Sequence, residues 1–110
     1  MLNKALYKVS INRSYYAIFH AMRSITALTG YDSSKHSGII AYFNQTYVKT
    51  GEFDKEASKI IKKASYLREK SDYEDFYVAS KQEAEDQLEE AKNFLAKVEK
   101  YLRSKNILWY

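Results

Sequence analysis

Residues 13–23 read RSYYAIFHAMR. Apolar side chains recur in it every three to four positions, the period of a helix with a buried face. Two arginines and a histidine interrupt that pattern. At 100° per residue the stretch extends both ways into one long helix over residues 2–29, closed by Gly30 as a left-handed cap. Ile11, Tyr15, Ile18, Met22 and Ile25 fall on one side, and Leu2, Ala5, Leu6, Val9, Tyr16 and Ala27 on nearly the opposite one. Between them Ser10, Ser14, Ala17 and Ala21 make a seam of small residues along which another helix can approach closely. A helix apolar on two faces is expected to be enclosed by neighbours and central.

Three further helices are expected. One spans 35–49, after the cap signal of Ser33 and Ser34 and before Gly51, with Ile39, Ile40, Phe43 and Tyr47 as its apolar stripe. The next starts at Asp54 as N-cap and carries Ala57, Ile60, Ile61, Ala64 and Leu67. A loop, KSDYEDFYVA at 70–79, follows. Ser80 and Glu83 then form a capping box for the last helix. Its Ala84, Leu88, Ala91, Leu95, Val98 and Leu102, in alternating steps of four and three, predict the seam of an antiparallel bundle. The outer face, rich in Glu, Lys and Gln, reads as solvated. The fold class is therefore all-α: an antiparallel up-and-down four-helix bundle, one domain over residues 1–110. The apolar tail NILWY is expected to dock on the bundle or on a second subunit.

Composition agrees. The chain has 110 residues with no proline and only three glycines, too few for the turns a sheet protein needs. It has no cysteine, which excludes disulfides and thiolate metal sites and suits a cytoplasmic setting. No apolar run reaches the roughly 20 residues of a membrane span. Eighteen basic against fourteen acidic residues, net +4, permit a nucleic acid or nucleotide partner without demanding one. Eleven tyrosines serve cores, interfaces and base-stacking platforms alike.

Glycine-rich phosphate loops, paired metal-binding histidines and nucleophile elbows are absent, so neither a metal nor a cofactor is expected. Three constellations remain. Arg13 and His20, seven residues apart, project the same way about 10 Å apart along the axis, with Tyr16 one turn from His20. A phosphate or a subunit partner fits between them; neighbouring carboxylates or carbonyls could equally satisfy them. In SSKHSG, Lys35 and His36 place cations at a helix N-terminus whose amides are already positive, which makes sense when an anion completes the site beside Ser37 and Gly38. Plain capping with exposed side chains is the alternative. In REKSDY, Arg68 lies before the turn that carries Asp72 and Tyr73. An Arg–Asp pair closing the loop and an arginine offered to phosphate or RNA are both consistent with it.

The segments NRSYYAIFHAMRS, KHSG, YVKTG and LREKSDYED, in that order and followed by a capped amphipathic helix, resemble the HEPN (higher eukaryote and prokaryote nucleotide-binding) family over nearly the whole chain. The resemblance implies a helical bundle that forms homodimers. It also implies pairing with a minimal nucleotidyltransferase, often as toxin and antitoxin. Active members are metal-independent ribonucleases, whose motif is an arginine followed after four to six residues by a histidine near the dimer interface. Here Arg68 fits the arginine, but Tyr73 stands where the histidine belongs. A phenol with a pKa near 10 is a poor general base at neutral pH. Arg13 and His20 meet the loosest spacing, yet lie in the first long helix. The expected role is therefore a nucleotide- or RNA-binding subunit beside a nucleotidyltransferase, with Lys35, His36, Ser37, Arg68 and Asp72 as phosphate contacts. The alternatives are a ribonuclease toxin using Arg13 with His20, or Arg68 with Tyr73 or His36, and a pure assembly module. Relatives carry more helix before this region, so one face of the first helix is expected to be less covered, which favours two-copy assembly.

Overall fold

The structure, a computed structural model, describes residues 4–73 and 77–107. Its elements are α1 (Lys4–Thr26), α2 (His36–Phe43), α3 (Lys55–Tyr73) and α4 (Lys81–Ser104), and no strand occurs among the described residues. This is the all-α bundle expected.

Local chemistry sets most boundaries. Helix α1 ends in a tight 3-10 turn, Ala27–Thr29, and Gly30 caps it at φ 78°, a conformation that favours glycine because it has no Cβ. Asp54 Oδ1 accepts from the Ala57 N–H at 3.1 Å and starts α3. Ser80 and Glu83 form the reciprocal capping box of α4. The second start differs from expectation. The N-cap of α2 is Lys35, in extended conformation without a side-chain cap bond, while Ser33 Oγ accepts from the Lys35 N–H. After Phe43 the helix widens into a π turn, Asn44–Val48. Helix α3 runs on through Tyr73, so the loop expected from residue 70 begins later.

The connection after α1 doubles back along it: Arg23 pairs with Asp32 at 2.7 Å, and His36 arrives beside Tyr15. Helix α2 then travels toward the α1 end, where the Tyr47 hydroxyl donates to the Ile25 carbonyl at 3.1 Å. Helix α3 returns antiparallel to α1, bringing Arg68 to Tyr16. Helix α4 runs antiparallel to α3, with Lys97 on Asp54 at 2.9 Å and Tyr101 on Glu52 at 3.2 Å. The long helices α1, α3 and α4 thus alternate, and α2 is a short cover over one end.

The core face of α1 is as expected, with Ile11, Tyr15, Ile18, Met22 and Ile25 all buried. The second face is not enclosed. Leu6, Val9 and Tyr16 are exposed, as are Ala5 and Ala27, and Leu2 lies outside the described residues. Helices α2, α3 and α4 all pack on one side of α1. The α4 stripe is also corrected. Its buried set is Ala84, Gln87, Ala91, Phe94 and Val98, while Leu88 and Leu95 remain 48% and 43% exposed. Phe94 reaches Phe43 at 6.1 Å between ring centroids. Burying that ring removes more apolar surface from water than burying Leu95 would, and the helix turns accordingly.

Small residues bring α1 and α4 together as the seam implied. Ser10, Ser14 and Ala17 face Ala91 at the floor of a groove of about 400 Å³, walled by Leu6, Val9, Leu88 and Leu95. Of the tail, Ile107 is exposed, and residues 108–110 lie outside the described part.

Candidate functional site

On the face where α1, α2 and α3 meet, Arg68 lies over two adjacent rings. Its guanidinium carbon is 5.2 Å from the Tyr15 centroid and 5.6 Å from that of Tyr16, within cation–π range. Nη2 donates to the Tyr16 hydroxyl at 3.2 Å. Nε lies 3.1 Å from Asp72 Oδ2, an ion-pair contact one helical turn on. It lacks hydrogen-bond alignment, so this buried N–H keeps an unfilled donor.

His36 opens α2 on the other side of those rings. Its Nδ1 and the Tyr15 hydroxyl share a hydrogen bond of 2.8 Å, and its ring stacks on Phe19 at 3.9 Å between centroids. Tyr16 meets it edge-on at 6.2 Å. One turn along α1 from Tyr16, the exposed His20 ring stacks on Tyr16 at 6.1 Å.

The cluster perturbs its own titration. Burial first, then the charges of Arg68 and Arg23 and the neighbouring His20, hold the His36 pKa below the usual imidazole value. His36 is therefore neutral at pH 7. Burial also raises the Tyr15 phenol, with Arg68 partly opposing the rise. The result is a protonated phenol bound to a neutral imidazole beside a permanent cation. Such a face can receive an oxyanion, stack a planar group or exchange a proton.

The family model for the HEPN domain matches residues 1–101. The chain belongs to the HEPN-domain family. In Methanocaldococcus jannaschii the protein named "Putative toxin MJ0142" is 34% identical over 108 residues, covering 98% of this chain and 74% of that protein. A second from that organism, "Putative toxin MJ0605", is 31% identical over 103 residues, 94% and 76% of the two chains. A UPF0332 protein of Thermotoga maritima is 33% identical over 93 residues, 84% and 70% of the two. No solved structure matches significantly.

In this HEPN chain the fold unites Arg68, Asp72, His36 and His20 on one face, together with the unanticipated Tyr15 and Phe19. Arg68 is not at the end of α3, which continues to Tyr73. Tyr73, at the motif's histidine position, is 75% exposed. Lys35 and Ser37 are exposed, and among the described residues neither side chain makes a hydrogen bond or ion pair with this cluster. Arg13 belongs elsewhere, in the α1–α4 groove beside Lys92. Among the described residues no group of three or more His, Asp or Glu could hold a metal ion. The signal for Tyr15 was its place one residue before Tyr16, but a tyrosine on a buried face reads as core until its hydroxyl finds a partner.

Proposed function

We propose that this HEPN protein is the phosphate-recognising subunit of a toxin–antitoxin-like pair, binding a nucleotide or RNA through the Arg68 face. The observation that carries the reading is the seating of Arg68 on Tyr15 and Tyr16 with two imidazoles on the same face. A guanidinium provides directed donors for phosphate oxygens, and the exposed Tyr16 and His20 rings on the same face suit a base. The names of the M. jannaschii relatives support the toxin-like setting. Calorimetric titration with an oligouridylate decamer tests it. Binding that weakens at least tenfold in Arg68→Ala, with the fold intact by circular dichroism, is the expected result.

The protein acts in the cytoplasm as a homodimer, with a minimal nucleotidyltransferase as its partner. For the dimer, the support is the α1–α4 groove, whose four half-exposed aliphatic walls would be covered by a second copy. No helix among the described residues is long and apolar enough to cross a membrane. Co-expression with a minimal nucleotidyltransferase, followed by co-purification, tests the partnership.

A second reading, ribonuclease activity, gains support from one observation. His36 reaches the Arg68 neighbourhood from another helix, so a neutral imidazole stands near the arginine although Tyr73 occupies the motif position. Incubation with total RNA in EDTA decides: cleavage lost in His36→Ala selects this reading over binding alone.

A further inference from the structure

Both arginines on this face already have a carboxylate. Arg23 Nη2 lies 2.7 Å from Asp32 Oδ1, and Arg68 Nε lies 3.1 Å from Asp72 Oδ2. Taken in pairs they contribute no net charge. Glu69 on α3 adds a negative charge felt by Tyr15, so positive charge for an anion is available from an imidazole that accepts a proton or from the exposed Lys35 at the start of α2. Among the described residues the Lys35 side chain makes no hydrogen bond or ion pair with the cluster, whereas His36 is hydrogen-bonded to Tyr15.

Resting on the phosphate-binding reading above, we propose that anion binding at this face is coupled to protonation of His36, so the site gains its net positive charge when an anion arrives. The geometry supplies the coupling. From α1, Tyr15 holds Nδ1 at 2.8 Å, while Phe19 and Tyr16 cover the ring and restrict water around it. Arg23 and His20 on α1 and Arg68 on α3 surround it with groups that are cationic or can become so. Asp72 and Asp32 are engaged by the arginines rather than by the imidazole. As the first residue of α2, His36 also stands at the positive end of that helix. Burial, the surrounding cationic groups and the helix N-terminus together oppose a charge on the ring while the face is empty. A phosphodiester carries a permanent negative charge, and set among the same groups it reverses the balance. The imidazole then takes one proton from solvent, and Tyr15 keeps its hydrogen bond by accepting from Nδ1–H.

The sign follows from linkage. The bound state holds the proton more tightly than the empty state, so affinity rises as pH falls between the two pKa values and is flat outside them. One proton sets a ceiling of about tenfold in Kd per pH unit.

The test is calorimetric titration with an oligouridylate decamer between pH 5.5 and 8 at constant ionic strength, on wild type, His36→Gln and His20→Gln. In parallel, the His36 ring proton is followed by NMR with and without the oligonucleotide. The expected result is a pH-dependent Kd in wild type and His20→Gln, a flat one in His36→Gln, and an upward shift of the His36 titration on binding. A flat wild-type Kd, or a slope unchanged in His36→Gln, overturns the proposal. Should His36→Gln fail to fold, the NMR titration of wild type decides alone. If wild type binds no oligonucleotide at any pH, the phosphate-binding reading fails. The coupling is then judged by titrating His36 in sulfate against chloride: an upward shift in sulfate sustains it and no shift overturns it.

Discussion

Arg68 Nη2 and the Tyr16 hydroxyl stand 3.2 Å apart although 52 residues separate them. That contact joins the third helix to the first across the face where His20 and His36 also lie. It makes one site of residues that the sequence keeps in three separate segments.

Replacing Arg68 with alanine should separate function from stability. The Arg68–Asp72 pair is partly exposed, and such pairs contribute about 1 kcal/mol or less. The expected outcome is a small fall in Tm beside a large loss of oligonucleotide affinity. Arg68→Lys should not restore binding, because one ammonium on a flexible stem cannot reproduce the planar contact with two rings and Tyr16. Thermal melts and titration calorimetry on the same samples check both.

Stability itself should respond to acid through His36. Its folded pKa lies below the ordinary value near 6.5, so the unfolded chain binds the proton more readily. Stability is fully present above about pH 6.5, falls as pH drops from there toward the folded pKa, and levels below it. Wild type should lose Tm between pH 7.5 and 5.5, and His36→Gln should lose less. A wild-type profile no steeper than that of the variant would contradict the assignment.

Neighbouring residues on α4 should behave in opposite ways. Phe94 is fully buried, and Phe94→Ala should cost about 3–5 kcal/mol in chemical denaturation. Leu95 lies open on the groove, so Leu95→Glu should leave the monomer nearly as stable. In sedimentation experiments Leu95→Glu and Leu88→Glu should instead shift a dimer to monomer. A severe stability loss for Leu95→Glu together with a mild one for Phe94→Ala would mean that the helix is turned the other way.

The start of α4 offers a local test. Ser80 Oγ accepts from the Glu83 N–H at 3.0 Å, and the Tyr77 hydroxyl donates to the Glu83 carboxylate at 2.9 Å. Ser80→Ala should cost about 0.5–2 kcal/mol. Helical content of α4 near residue 81, read by amide hydrogen exchange, should fray selectively.

Much of the fold was legible because its signals are local. Gly30 needs a left-handed backbone, Asp54 and Ser80 supply oxygens to helix starts, and the 3.6-residue period marks the buried side of α1. Period alone left α4 uncertain by a fraction of a turn. Leu88 and Leu95 repeat as regularly as Gln87 and Phe94, and only packing against Phe43 distinguishes the two stripes.

By itself, then, the sequence determined the helices, most of their caps, the small-residue seam of α1 and the membership of Arg68, Asp72, His20 and His36 among the working candidates. Tertiary structure alone decided that these four share a face, that Tyr15 holds His36, and that Arg13 lies apart in an apolar groove. The division has a physical cause. Caps and periodicity depend on groups within about one helical turn of each other. A cation–π contact or an imidazole–phenol bond depends on how whole helices are set against one another, which is fixed by the total burial of the core.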